Sequence, residues 1–143
     1  MPSEKTAHDR FRNNLAGRFN RINRVENPIT PGMPDTNCCF QGIGEFWVEI
    51  KAPTEPKRPA TPLFGSNHDV SRQQINWHLH QWQCGGRSYF LIDTDQRVLV
   101  VSGCVAERIN FMTVAELAEV SLFCEPKPMR KEKWTTLKNS FRS

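Results

Sequence analysis

Thr36, Cys38 and Phe40 alternate with polar or exposed positions before the run Gln41-Gly42-Ile43-Gly44, and Phe46, Val48 and Ile50 alternate after it. A period of two on both sides of a glycine-containing turn predicts a β-hairpin with one packed face. Closed by a three-residue loop centred on Gly42, that hairpin sets Asp35 directly opposite Glu49, with Cβ atoms roughly 5 Å apart. The second face then carries Glu45, Trp47, Glu49 and Lys51. Like charges facing each other across a ladder repel unless a cation lies between them, so Asp35 and Glu49 are spaced to share a divalent metal, and Lys51 converges on the same place. A solvated strand face would show a similar alternation, and the spacing leaves both readings open.

The rest of the chain bounds what can surround this hairpin. A length of 143 residues with 38% hydrophobic content is enough for one domain with a real core. No run approaches the roughly 18 apolar residues of a membrane span, and the charged N-terminus has no apolar leader segment, so a soluble cytoplasmic protein is expected. Cys38, Cys39, Cys84, Cys104 and Cys124 form no CxxC pair and are odd in number, which argues against a disulfide framework and against common zinc modules. His80 and Cys84 lie one helical turn apart, but no second pair completes a zinc site.

The net charge of +4 is unevenly spread. Lys5, Arg10, Arg12, Arg18, Arg21 and Arg24 outweigh Glu4 and Asp9 at one end, and Lys127, Arg130, Lys131, Lys133, Lys138 and Arg142 outweigh Glu132 at the other. Basic ends around an acidic centre suit a protein that holds a polyanion at its edges and a cation in its middle. A basic tail that only aids solubility would look the same.

Along the chain, Phe11, Leu15 and Phe19 predict an amphipathic helix over residues 4 to 20, with Glu4 and His8 continuing its packed stripe; Glu4 could reach the site, although an acid at a helix start more often simply favours the dipole. Residues 21 to 27 read as a strand ended by Pro28 and the Pro31-Gly32 turn. Residues 52 to 70 are Pro-rich and aperiodic, the pattern of a functional or disordered loop. Ile75, Leu79 and Trp82 predict a helix from Ser71 to Cys84, stopped by Gly85-Gly86. Residues 89–92 and 98–101 are apolar strands of a sheet covered on both faces. A last helix starts at Thr113, with Glu116 completing a capping box and Met112 stapling Leu117. The expected fold is a single α/β domain over residues 1–126, in the order α-β-β-β-α-β-β-α, followed by a basic C-terminal tail over 127–143 in which Trp134, Leu137 and Phe141 hint at a docking helix.

Taken in order, Arg24-Val25-Glu26-Asn27, Gly32-Met33-Pro34-Asp35, Trp47-Val48-Glu49-Ile50-Lys51 and Gln74-Ile75-Asn76-Trp77, followed by Gly85-Gly86 and an apolar strand, resemble the PD-(D/E)xK nuclease superfamily. Within it the chain is similar to the small VRR-NUC-type nucleases of phages, over roughly residues 4 to 101. The resemblance implies a restriction-endonuclease-like mixed sheet and a hydrolase that cuts DNA with Mg²⁺ or Mn²⁺. It implies Asp35 and Glu49 as metal ligands with the Ile50 carbonyl, and Lys51 as the group that orients the attacking water. Gln74 would position Lys51 or the phosphate, although Ser71-x-x-Gln74 is itself a capping box. Glu26 is either a further ligand or an ion-pair partner of Arg24, with the structural role favoured. Arg24, Lys57, Arg58, Asn67, His68 and Arg72 are the expected nucleic-acid contacts. His8 stands where relatives often carry an aromatic, and the segment from Cys104 onward matches no part of the pattern.

These expectations amount to a phage-type, structure-specific endonuclease resembling a Holliday-junction resolvase, working as a homodimer in the host cytoplasm on branched DNA. The alternative is a catalytically silent DNA-binding module that keeps the fold and docks a replication or recombination assembly. An unrelated small interaction protein with a solvated strand face is the third possibility.

Overall fold

In a computed structural model that describes residues 3–26, 30–65 and 69–142, the hairpin joins β2 (Thr36–Phe40) to β3 (Gly44–Lys51). Thr36 pairs with Val48, Cys38 with Phe46 and Phe40 with Gly44, the register expected from the alternation. Gly42 and Gly44 take φ of 76° and 91°, which side chains with a Cβ rarely adopt, and this lets the strands turn within three residues.

Strand β1 (Asn20–Arg24) pairs antiparallel with β2. From β3 the chain crosses through α2 (Arg72–Gln83) to β4 (Ser88–Asp93), which lies parallel to β3. Strand β5 (Arg97–Ser102) returns antiparallel. After a 3-10 helical segment (Gly103–Phe111) and α3 (Val114–Val120), the sheet is completed by β6 (Phe123–Pro126), and α4 (Lys131–Ser140) closes the chain. The result is a six-stranded mixed sheet in the order β1 to β6, within one α/β domain. Beyond α3 the observed order gains β6 and α4, which the expected order lacks. None of the described helices is long and apolar enough to cross a membrane.

The helices cover both faces of the sheet. On one, α1 (Glu4–Leu15) and α4 bury Phe11, Leu15, Trp134 and Leu137 against Cys38, Phe46, Val48, Ile50, Leu91 and Val100. On the other, α2, the 3-10 segment and α3 bury Ile75, Ile109 and Leu117 against Phe90, Ile92, Leu99 and Val101. The near-continuous apolar runs of β4 and β5 follow from this double cover.

Several boundaries move from their expected places for local reasons. Helix α1 stops at Leu15 because Ala16 turns extended and Gly17 bridges to Asn20, reversing the chain into β1. Phe19 therefore leaves the stripe and stands 58% exposed under the guanidinium of Arg18. Strand β1 ends at Arg24, although the Val25 amide still donates to the Asp35 carbonyl at 2.7 Å. Asn27 lies outside the described residues.

The Pro-rich segment is anchored through much of its length. Leu63, Phe64 and Val70 are buried in the second core. The Leu63 amide donates to the Met112 carbonyl, and the Asn110 side chain both donates to and accepts from the backbone of Val70. The basic C-terminal segment is likewise packed rather than a tail. Phe141 is fully buried among Phe11, Phe40, Phe46 and Tyr89, with its ring stacked 4.5 Å from that of Phe46, and its carbonyl accepts from Arg87 and from the Tyr89 hydroxyl.

Candidate functional site

One end of the sheet gathers the end of β1, the start of β2 and the ends of β3 and β4. Asp35 immediately precedes β2, one step beyond the Thr36–Val48 pair, so the ladder directs it towards Glu49. The turn before it is held close to α2. Gly32 has φ of 82°, and a Cβ there would run into the Gln73 carbonyl and stand 2.7 Å from the Gln74 amide. Only glycine permits this approach, which ties the Pro34-Asp35 corner to the helix that carries Gln74.

Glu49 was expected on an open polar face. Helix α2 covers that face, and Glu49 is only 7% exposed. Its Oε1 is buried without a hydrogen-bond partner. Burial pushes its carboxyl up to about 8; the charge of Lys51 pulls against that rise, while Asp35 and then Glu4 add to it. The carboxyl is thus held protonated at neutral pH unless a cation compensates it. Ionising a buried carboxyl whose oxygen has no hydrogen-bond partner is costly, which is why burial dominates that rise.

Lys51 donates to Gln74 Oε1 at 3.3 Å. The same oxygen accepts from the Ser71 amide at 3.0 Å, while the Gln74 amide donates to Ser71 Oγ at 3.1 Å. Gln74 therefore closes the capping box of α2 and accepts from Lys51 at once.

Asp35 is the open member of the site, with its side chain 42% exposed. The Thr36 hydroxyl donates to it at 3.1 Å, and Arg24 forms an ion pair with it at 3.8 Å. Arg24 therefore meets Asp35, not Glu26, which is exposed beyond the end of β1. Ile50 packs its side chain into the core between Glu49 and Lys51. Among the described residues no three His, Cys, Asp or Glu side chains are grouped so as to hold a metal ion, and Glu26 does not complete such a group.

Helix α1 adds two residues at this end. Glu4, in its first turn, contributes charge felt at Glu49. His8 is buried, with Nε2 unbonded; burial lowers its pKa, and the nearby charges of Asp35 and Arg24 act in opposite directions.

Sequence reasoning missed His78. It lies one turn after Gln74 on α2, fully buried, with Nδ1 2.7 Å from Ser88 Oγ and its ring 4.2 Å from that of Phe90. The Trp82 indole donates to the same Ser88 hydroxyl. Burial, helped by the Lys51 charge, lowers His78 to about 3, so it is neutral. A Cβ on Gly103 would collide with Ser88 Oγ and stand 2.8 Å from His78 Nδ1, so that close backbone approach also supports the cluster.

The expected nucleic-acid contacts are dispersed. Lys57 and Arg58 are exposed and line a cavity of about 340 Å³ with Glu55, Gln96 and Arg97, at the same sheet end as Lys51. Glu55 fixes this corner through Arg97 at 2.7 Å and Thr94 at 2.6 Å. Arg72 pairs with Glu107 at 2.9 Å on the surface. Asn67 and His68 lie outside the described residues. His80 and Cys84 are in contact, with Sγ 3.5 Å from Nε2, at the far end of α2.

No family model matches the chain, and no curated protein matches it.

Proposed function

We propose that the protein is a metal-dependent nuclease that hydrolyses phosphodiester bonds in DNA, on a sheet of restriction-endonuclease-like architecture. The observation that carries this reading is the buried Glu49 carboxyl, with one unbonded oxygen, beside Asp35 and next to a lysine held by Gln74. The parallel β3–β4 pair joined through α2, with an antiparallel hairpin beside it, supports the architectural part of the proposal.

The donor set fits a hard divalent cation. Asp35, Glu49 and the Ile50 carbonyl would hold it, all through oxygen, as Mg²⁺ or Mn²⁺ requires. When bound, such an ion supplies Lewis-acid polarisation of the phosphate and a water of lowered pKa. The chain's own residues do the rest. Lys51, restrained by Gln74, offers a fixed positive charge to the phosphate oxygens, while Asp35 and Glu49, themselves anionic, would act by holding the cation. Arg24 makes only a long, exposed ion pair with Asp35, of little energetic weight, so it can leave for a backbone phosphate. Lys57 and Arg58 extend positive charge along the same sheet end, where Glu55 neutralises Arg97.

Cleavage of labelled DNA in Mg²⁺ or Mn²⁺ tests the reading, with Asp35→Ala and Lys51→Ala both expected to abolish it while the fold persists. Undiminished cleavage by either variant would refute the site. Preference for branched DNA and action as a homodimer belong to the same proposal, and rates on junctions, flaps, single strands and duplex, together with solution mass, test them. Equal rates on all four substrates would remove the structure-specific part.

A second reading is favoured by the Arg24–Asp35 ion pair and the absence, among the described residues, of a third ligand: a DNA-binding module that no longer turns over. Tight DNA binding without cleavage in either metal would select it.

A further inference from the structure

A second cavity, of about 520 Å³, opens between α1 and the segment leading into α4, lined by Arg10, Asn14, Val98, Lys127, Met129 and Trp134. Its floor belongs to the sheet face that α1 and α4 cover, since Val98 packs in that core, whereas Lys51 pairs with Ile92 on the opposite face. The cavity is therefore separate from the hairpin site. Its volume lies within the roughly 300–1,000 Å³ typical of small-molecule pockets.

The charge within it is unbalanced. Asp93, 1% exposed, receives ion pairs from both Arg10, at 3.3 Å, and Lys127. One cation would neutralise this carboxylate, so the second leaves a net positive charge. The only acid on the adjoining strand, Glu125, is paired with Lys133. Arg10 uses one terminal nitrogen on Asp93 and remains one-third exposed, and it lines the cavity with Lys127 and with Asn14, whose amide donates to the Arg10 carbonyl at 2.7 Å. A forked guanidinium beside an ammonium matches the oxygens of a phosphate better than a single carboxylate. Pro128 and Met129 supply apolar surface beyond the cations, over a floor formed by the buried Val98 and Trp134.

We infer that this cavity binds a phosphomonoester joined to a compact apolar body, with the phosphate on Arg10 and Lys127 and the body against Pro128 and Met129. A free nucleoside monophosphate and the phosphorylated end of an oligonucleotide both present this chemistry. The site does not depend on the nuclease reading.

Calorimetric titration of the full chain in chelator, with adenosine monophosphate, adenosine, inorganic phosphate and an oligonucleotide with or without a terminal phosphate, tests the inference. Adenosine monophosphate or the phosphorylated oligonucleotide should bind at least about tenfold tighter than its unphosphorylated counterpart and than inorganic phosphate. Binding of both identifies a free nucleotide as sufficient; binding of the oligonucleotide alone identifies a nucleic-acid end. Lys127→Gln should weaken binding about tenfold, but it uncovers the buried Asp93. Asn14→Glu, at an exposed position, is the second variant: it adds repulsion at the rim without touching Asp93 and should abolish binding while leaving the melting temperature near that of the parent. Asp35→Ala should leave binding intact. Equal affinity with and without phosphate, loss of binding in Asp35→Ala, or full binding by Asn14→Glu would each overturn the assignment.

Discussion

Glu49 links the chemistry of the site to the stability of the chain. Its carboxyl titrates near 8 when folded but near 4.5 when exposed, so between those values the folded state holds a proton that the unfolded chain has lost. Stability from this group is complete below about pH 4.5 and declines as pH rises to about 8. The metal-free protein should therefore melt at lower temperature at pH 8.5 than at pH 5, and Glu49→Gln should flatten that slope and stabilise the metal-free protein by roughly 2 kcal/mol at the alkaline end. Mn²⁺ binding should strengthen about tenfold per pH unit below 8 and release one proton, measured by calorimetry in buffers of different ionisation heat. A flat profile for both would show that Glu49 is not the ligand. Gln74 gives a second test at this scale, because its one oxygen serves both Ser71 and Lys51. Ser71→Ala removes the cap alone and should cost about 1 kcal/mol of stability, whereas Gln74→Ala should add a fall in kcat of roughly 10- to 100-fold. Equal losses of activity in the two variants would reduce Gln74 to a capping residue. The capping box closed by Gln74 was legible from its spacing to Ser71. His78 was not, because a histidine on a helix stripe looks polar until burial and the Ser88 hydrogen bond make it a core residue.

At the scale of elements, local pattern decided what could be read. The hairpin register followed from alternation mirrored about Gly42, since a slip of one residue would turn Phe46 and Val48 out of the core. Both capping boxes were written in three-residue spacings, Ser71 to Gln74 and Thr113 to Glu116. The end of α1 was misplaced because Phe19 keeps helical spacing from Leu15, and nothing in that spacing reveals the Gly17–Asn20 bridge that breaks it. The anchoring of Leu63 and Val70 depends on Met112 and Asn110, partners some 40 to 50 residues away that local periodicity does not report. Gly32 is where local conformation and the site meet. Gly32→Ala should cost about 1–3 kcal/mol from its positive φ alone, and more as the Cβ pushes the turn off the Gln73 carbonyl. The displacement moves Asp35, so Mn²⁺ affinity should fall together with the denaturation midpoint; affinity unchanged in a destabilised variant would show that this turn does not set the position of Asp35.

Over the whole molecule, the C-terminal segment joins two roles that its composition suggests separately. Its basic residues read as a detachable nucleic-acid-binding tail, yet Trp134, Leu137 and Phe141 recur at three- and four-residue spacing and seat α4 on α1 and the sheet. Phe141 fills the centre of an aromatic cluster that includes Phe40 and Phe46, one from each arm of the hairpin. Its carbonyl also anchors Arg87, whose guanidinium bonds the Ile43 carbonyl in the turn of that hairpin. Phe141→Ala should therefore cost about 3–5 kcal/mol, a large part of the stability of a domain this size. Truncation after Lys127 should remove α4 entirely and yield a chain that does not unfold cooperatively. Replacing the exposed Lys131 and the half-buried Lys138 with Gln instead should leave the melting temperature nearly unchanged and make DNA binding less salt-dependent, by about one unit of slope for each phosphate no longer neutralised. If truncation merely weakened DNA binding and left a cooperative fold, the segment would be the appendage that its charge suggests; the packing of Phe141 under the hairpin predicts that the fold fails first.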